Sequence, residues 1–379
     1  MIRSRRNFLR LGTGIMPLMK RPLWGVSLAG ANPNESSPND VLIRLNCNEN
    51  AYGPSKKVTA AIESALARSN RYPRMEYSSL VEQIASFHHV KPEQVLLGCG
   101  STEILRVTAC AFLGSGKQLI HASPTFGAIQ SYARMTGSVP IPVPLTRALA
   151  HDLDGMLHRA GASATLVYIC NPNNPTASLT PRLDLETFIA KLPASTMVLI
   201  DEAYHHYAAQ SGMYASFIDR PVDDARVIVC RTFSAVYGIA GLRVGYAVSS
   251  ATVIEQIRKF ITHDNVNAIA TKAVSAALED SDGVREAIER NANDRQEFFN
   301  SVLARAHKPM DSHTNFVIVN SFNPAEKVIE HFRSNNILIG PRFPEMDTFI
   351  RVSLGRPEEM RQFWRAWDML PHPKNTMSH

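Results

Sequence analysis

Through the middle of the chain, short apolar runs bounded by turn residues alternate with stretches of helical periodicity. Val95-Leu96-Leu97 is a strand-like run closed by Gly98-Cys99-Gly100-Ser101, and residues 102–113 read as the helix that follows. The pattern predicts further strands at Gln118–His121, Val139–Val143, Thr165–Ile169, Met197–Ile200, Arg226–Cys230 and Arg243–Val248. Helical stretches at Phe126–Thr136 and Leu183–Lys191 separate some of them, and residues 56–69 and 78–88 carry helical spacing ahead of them. Strands alternating with helices predict an α/β fold, with a mostly parallel sheet covered by helices. Residues 252–306 are helix-rich. Beyond them come apolar strands at Asn315–Val319, Ile337–Ile339 and Phe349–Leu354, with helices at 324–335 and 357–369, which read as a smaller α+β domain. The expected organisation is a large domain at 61–260 and a small one combining an N-terminal arm at 32–60 with residues 261–379.

Composition changes this picture little, but charge changes it at one end. The 379 residues carry 40 basic and 34 acidic side chains, a net charge of +6. Arg3, Arg5, Arg6, Arg10, Lys20 and Arg21 fall within the first 31 residues, which hold no acid, so the remainder is balanced. A nucleic-acid partner would need a basic face on the folded domain, and none is expected. Ser4-Arg5-Arg6-Asn7-Phe8-Leu9-Arg10, the apolar stretch Leu11–Met19 and Ala29-Gly30-Ala31 read either as a twin-arginine export signal spanning 1–31, giving a periplasmic or exported protein, or as a basic tail on a cytoplasmic one. No window holds the 18 or more apolar residues of a membrane span. The five cysteines form no CxxC pair and no HExxH occurs, so no metal is expected.

Four segments that carry chemistry stand at strand ends, where an open α/β sheet places its ligands. Gly100-Ser101-Thr102-Glu103 opens a helix, where free N–H groups and hydroxyls suit a phosphate or simply cap the helix. Asn171-Pro172-Asn173-Asn174-Pro175-Thr176 is either a rigid turn or a mount for the Asn174 amide. Asp201-Glu202-Ala203-Tyr204 follows a buried strand. Its first carboxylate is costly there unless it caps a helix or meets a cation, such as a protonated ring nitrogen on a ligand. Within the run from Arg231 to Tyr246, Thr232, Ser234 and Arg243 would complete a phosphate cup, unless Arg243 serves only a surface ion pair.

In this order and spacing the four segments, together with Leu45-Asn46-Cys47-Asn48-Glu49-Asn50-Ala51-Tyr52-Gly53-Pro54, resemble the pyridoxal-phosphate-dependent class I/II aminotransferases of fold type I. The histidinol-phosphate aminotransferase branch is the most similar. The resemblance covers about residues 41–370 and implies roles residue by residue. Gly100, Ser101 and Thr102 would bind the cofactor phosphate with Thr232, Ser234 and Arg243. Phe126 would stack on the pyridine ring, Asn174 and Tyr204 would bond the ring hydroxyl, and Asp201 would pair with the ring nitrogen. Tyr52 would reach the phosphate of a neighbouring subunit's cofactor, which implies a homodimer. Arg351 would grip a substrate carboxylate, with Arg342 as a second substrate cation. The reaction implied moves an amino group from an amino acid or a histidinol-phosphate-like amine to a 2-oxo acid.

One position departs from the family. A lysine that carries the cofactor and shuttles the substrate's α-proton stands directly after the serine in related chains, and here that place is Ala235. Losing a general base typically costs about 10²–10⁴-fold in rate. The replacement fits an engineered change, a natural loss of transamination or a sequence error, and Lys272 is too far along the chain to substitute. Two functions therefore compete: an aminotransferase scaffold, impaired as written, and a non-catalytic protein that binds pyridoxal phosphate or its amino-acid adduct. A lyase or decarboxylase on the same fold is a third reading.

Overall fold

The computed structural model describes residues 42–161 and 164–371. The export-signal reading at 1–31 lies outside the described residues, as do residues 32–41 of the arm.

Eleven strands occur among the described residues: β1 (Ile43–Leu45), β2 (Val95–Cys99), β3 (Gln118–Ser123), β4 (Val139–Pro144), β5 (Ala164–Cys170), β6 (Met197–Asp201), β7 (Val227–Thr232), β8 (Val244–Val248), β9 (Phe316–Asn320), β10 (Ile337–Ile339) and β11 (Phe349–Ser353). Seven form one sheet in the order β2-β8-β7-β6-β5-β3-β4. All run parallel except β8, which is antiparallel to both of its neighbours. The expected mostly parallel α/β sheet is the one observed. Because β8 is reversed, its first residues lie at the sheet edge where the other six strands end.

Alternation along the buried strands divides the core into two. Val167, Ile169, Val198, Ile200 and Val229 face one apolar cluster. Leu166, Tyr168, Cys170, Leu199, Ile228 and Cys230 face the other, beneath the helices Ser101–Phe112 and Ala128–Met135. Strand β4 carries Pro140, Pro142 and Pro144 and pairs only with β3. Proline has no N–H to donate, so this alternation is tolerated only on an edge strand.

Two smaller pairings lie outside this sheet. β1 pairs parallel with β10, and β9 pairs antiparallel with β11. Ile43 and Leu45 share an apolar cluster with Val317, Val319, Ile350, Val352, Phe363 and Trp364. β1 escaped the sequence pattern because Ile43-Arg44-Leu45 is too short to show a period. The helix expected at 56–69 ends at Ala65 and tightens into a 3₁₀ turn at Leu66–Arg68. A further helix, Leu153–Ala160, stands where the sequence pattern predicts none.

Candidate functional site

The carboxyl ends of β2, β3, β5, β6 and β7 and the start of β8 bring the predicted segments to one edge of the sheet. Gly100 is the cap residue of the helix Ser101–Phe112, with φ +74°, and no side chain caps that helix. Ser101 and Thr102 are therefore not spent on capping. That backbone conformation favours glycine, and a Cβ there would push the Arg243 guanidinium from its place.

Arg243 sits in the left-handed region at φ 57°, a costly conformation for a residue with a Cβ. Its Nη1 donates to Ser234 Oγ at 3.2 Å, and its Nη2 lies 3.5 Å from Thr102 Oγ1. Thr232 Oγ1 donates to Ser234 Oγ at 2.9 Å and accepts from the Ser234 N–H at 3.1 Å. Thr102, Thr232, Ser234 and Arg243 thus converge on a helix N-terminus. No carboxylate among the described residues pairs with Arg243, so the ion-pair reading of this arginine is set aside. An unpaired guanidinium among hydroxyls at the positive end of a 12-residue helix is an anion cup.

Asp201 ends β6 and is only 2 % exposed. Tyr168 Oη donates to its Oδ2 at 2.9 Å, and the Ala203 N–H donates to its Oδ1 at 3.1 Å. Burial pushes the carboxyl up to about 6, against the lowering effect of these donors. The next helix, His205–Ala208, is preceded by Tyr204 without a side-chain cap, so Asp201 does not cap it. No cation among the described residues is in ion-pair contact with Asp201.

A second buried charge stands nearby with the opposite sign. Arg351, on β11, is 7 % exposed. Its Nη1 donates to Asn174 Oδ1 at 2.6 Å and its Nη2 to the Asn46 carbonyl at 2.6 Å. Its Nε is buried without a hydrogen-bond partner, and no carboxylate among the described residues pairs with it. The guanidinium lies 5.5 Å and 5.6 Å from the ring centres of Phe316 and Phe343. A Cβ at Gly340 would come within 2.8 Å of the Arg351 carbonyl oxygen and 3.1 Å of Nε, so the bare backbone there lets the arginine lie where it does.

Asn174 joins the two halves, because its Nδ2 also lies 3.4 Å from Tyr204 Oη. Tyr204 accepts from Asn48 Nδ2 at 2.9 Å, and burial raises its hydroxyl well above the ordinary value. Ala235 is buried in an apolar cluster with Tyr204, Tyr207, Val236 and Phe316. Ala235 is thus held beside Tyr204. Lys272 is exposed on the helix Ala268–Leu278, away from this group.

Three predicted residues stand differently. Phe126 is half-buried and packs against the Tyr168 face of the sheet. Tyr52 donates to Asp294 Oδ1 of its own chain at 3.3 Å, beneath the Arg290 guanidinium. Arg342 is not brought to Arg351. It is exposed and ion-paired with Glu326 at 3.2 Å and Asp347 at 2.7 Å.

Asn48 and Tyr168 escaped assignment from the sequence. Asn48 stood within the quoted Leu45–Pro54 motif but was given no role. Tyr168 could have been found, because it is the one polar-tipped side chain on its face of β5 and a buried phenol seeks a partner.

The fold and this edge of the sheet define a fold-type I enzyme scaffold that carries a buried carboxylate without a cation and two arginines without a carboxylate among the described residues. The chain belongs to the class I and II aminotransferases, a pyridoxal-phosphate-dependent family, which it matches over residues 40–366. It is 32 % identical over 326 residues to the histidinol-phosphate aminotransferase of Caldicellulosiruptor saccharolyticus, covering 86 % of this chain and 90 % of that protein. It is equally 32 % identical over 299 residues to the aromatic amino acid aminotransferase of Cutibacterium acnes, covering 78 % and 84 %. Among solved structures, the histidinol-phosphate aminotransferase from Sinorhizobium meliloti in complex with pyridoxal-5'-phosphate superposes with a TM-score of 0.81 at 28 % identity, covering 87 % of this chain and 90 % of that one.

Proposed function

We propose that this chain binds pyridoxal phosphate and a carboxylate- or phosphate-bearing amine in the geometry of transamination, and that Ala235 blocks the transfer as the sequence stands. One observation carries the reading: Asp201 is a buried carboxylate without a cation and Arg351 a buried guanidinium without an anion, both at the strand-end edge that also holds the Arg243 cup. Buried charges left uncompensated by the chain call for a ligand that supplies both opposite charges.

Each residue then has a task. Thr102, Thr232, Ser234 and Arg243 would hold the cofactor phosphate, and Phe126 would cover the ring. Asn174 and Tyr204 would bond the ring hydroxyl oxygen. Asp201 would hold a proton on the ring nitrogen. The bound group supplies an electron-accepting ring that stabilises negative charge developing on the substrate carbon. Arg351 would fix the substrate anion with its guanidinium. Ala235 can neither accept nor deliver a proton, so no group at that position moves the α-proton.

Restoring the base tests this. Ala235→Lys, loaded with pyridoxal phosphate and mixed with histidinol phosphate or with aromatic, aliphatic and acidic amino acids, is expected to convert to the pyridoxamine spectrum with one class of amine. A parent chain that binds no pyridoxal phosphate would overturn the reading. The second reading, a non-catalytic binder, is favoured by Ala235 itself. It would be the better one if Ala235→Lys binds cofactor yet no amine turns it over.

Two further assignments rest on sequence. Tyr52 would turn from Asp294 to a partner's cofactor in a homodimer, which sedimentation of the loaded protein tests by a two-chain mass. Export by the segment at 4–10 predicts that Arg5→Lys with Arg6→Lys retains the protein in the cytoplasm.

A further inference from the structure

We infer that Tyr168 is a positioning residue for Asp201, holding the carboxylate at the angle at which it meets the cofactor's ring nitrogen. The inference rests on the proposed cofactor site but concerns a residue outside the set that would touch the cofactor.

The geometry follows from the register of three neighbouring strands. Cys170 on β5 pairs with Asp201, and Asp201 pairs with Cys230 on β7. Tyr168 stands two residues before Cys170 and therefore on the same face, diagonal to Asp201, a separation that a long side chain spans. Its hydroxyl meets Oδ2 at 2.9 Å, and both residues are buried. The other oxygen is held by the Ala203 amide. The Cys230 thiol bonds the carboxylate as well, and of the three donors Tyr168 is the one oxygen donor from a side chain, so it can be altered without touching the backbone.

The groups facing Asp201 are few. Tyr168 and Cys170 approach from β5, Cys230 from β7, and Glu202 and Tyr204 from its own segment. Burial raises both thiols and the Tyr168 phenol well above their ordinary values, so all three stay neutral at ordinary pH. Tyr168 is thus a permanent donor that favours the ionised carboxylate. A carboxylate that loses it takes up a proton at higher pH and also gains freedom to rotate.

The test uses the full chain and its binding of pyridoxal phosphate, followed by cofactor absorbance at a series of pH values. In the parent, affinity falls as the pH drops through the Asp201 transition near 6. Tyr168→Phe is expected to bind about tenfold more weakly at neutral pH, the typical worth of a hydrogen bond to a charged group, and to move that fall upward by about one pH unit. A cofactor analogue with carbon in place of the ring nitrogen should bind parent and variant equally. Equal pH profiles of parent and Tyr168→Phe, or a loss that persists with the analogue, would overturn the inference. Absence of pyridoxal-phosphate binding by the parent would instead overturn the proposed site. Should Tyr168→Phe not fold, 3-fluorotyrosine at position 168 alone provides a stronger donor. It should move the same fall to lower pH, and an unmoved fall would refute the role.

Discussion

Asp201 and Glu202 are neighbours in the chain and are equally buried, yet their surroundings differ in kind. Glu202 accepts from Ser216 Oγ at 2.6 Å and from the Phe217 amide at 2.7 Å, and it pairs with the buried Arg231 at 3.0 Å. Arg231 in turn reaches Ser216 and Asp219. That cluster is closed, because every charge has its opposite within the chain. Asp201 faces a phenol, an amide and two thiols, and Arg351, across the site, faces an amide oxygen, a carbonyl and two aromatic rings. Closed buried charges hold a fold together, whereas open ones are tolerated where a ligand completes them. The pair also ties the end of β6 to the end of β7, so the structural cluster braces the strands that carry Asp201 and Thr232.

The sharpest way to break this contrast is to open the closed cluster. Glu202→Ala leaves Arg231 buried without its carboxylate and is expected to cost about 3–5 kcal/mol in urea unfolding. A loss below about 1 kcal/mol would show that the two acids do not differ as described. Asp201→Asn should act in the opposite direction on the cofactor-free chain. The folded carboxyl titrates near 6, against 3.8 ordinarily, so the unfolded chain gives up that proton first. Stability therefore falls as pH rises from about 4 to about 6 and stays lower above that. The asparagine variant should be more stable by about 3 kcal/mol at pH 8 and lose that advantage below about pH 3, while losing affinity for pyridoxal phosphate.

Smaller effects belong to the arginines. Arg351→Lys keeps the charge but loses the planar fork, so amino-acid binding to the cofactor-loaded protein should weaken about tenfold by calorimetry. Arg342→Gln removes an exposed cation already held by Glu326 and Asp347 and should change neither ligand binding nor the unfolding midpoint. An Arg342→Gln variant that lost amine affinity would return this residue to the site.

Much of this was legible in the chain, for reasons that differ by element. Val95–Leu97, Met197–Ile200 and Ile337–Ile339 are apolar runs cut off by turn residues, and each strand was placed to within two residues. The reversed direction of β8 was not legible, since periodicity carries no sense of direction. Asp201 could be singled out because a carboxylate straight after a buried strand is conspicuous, whereas Arg351 was reached only through the family resemblance. Arg342 also came from the resemblance, and its partners Glu326 and Asp347 stand sixteen and five residues away, so only folding shows that they meet. Nothing in the sequence ties Tyr168 to Asp201; strand register alone sets the two diagonally.

The reversal of β8 has a consequence for how binding and chemistry are divided. Thr232 ends β7 and Arg243 precedes β8, and the Phe233 amide bonds the Val244 carbonyl at 3.0 Å, closing the base of the intervening loop. Ala235 rides inside that closed ring, whereas the anion-holding side chains sit at its clasp. The clasp is set by strand pairing and is indifferent to the residue carried within, so the loop works like a fixed socket with an exchangeable tooth. Under the proposed function, a single substitution at that tooth would switch off turnover and leave the grip on the phosphate intact.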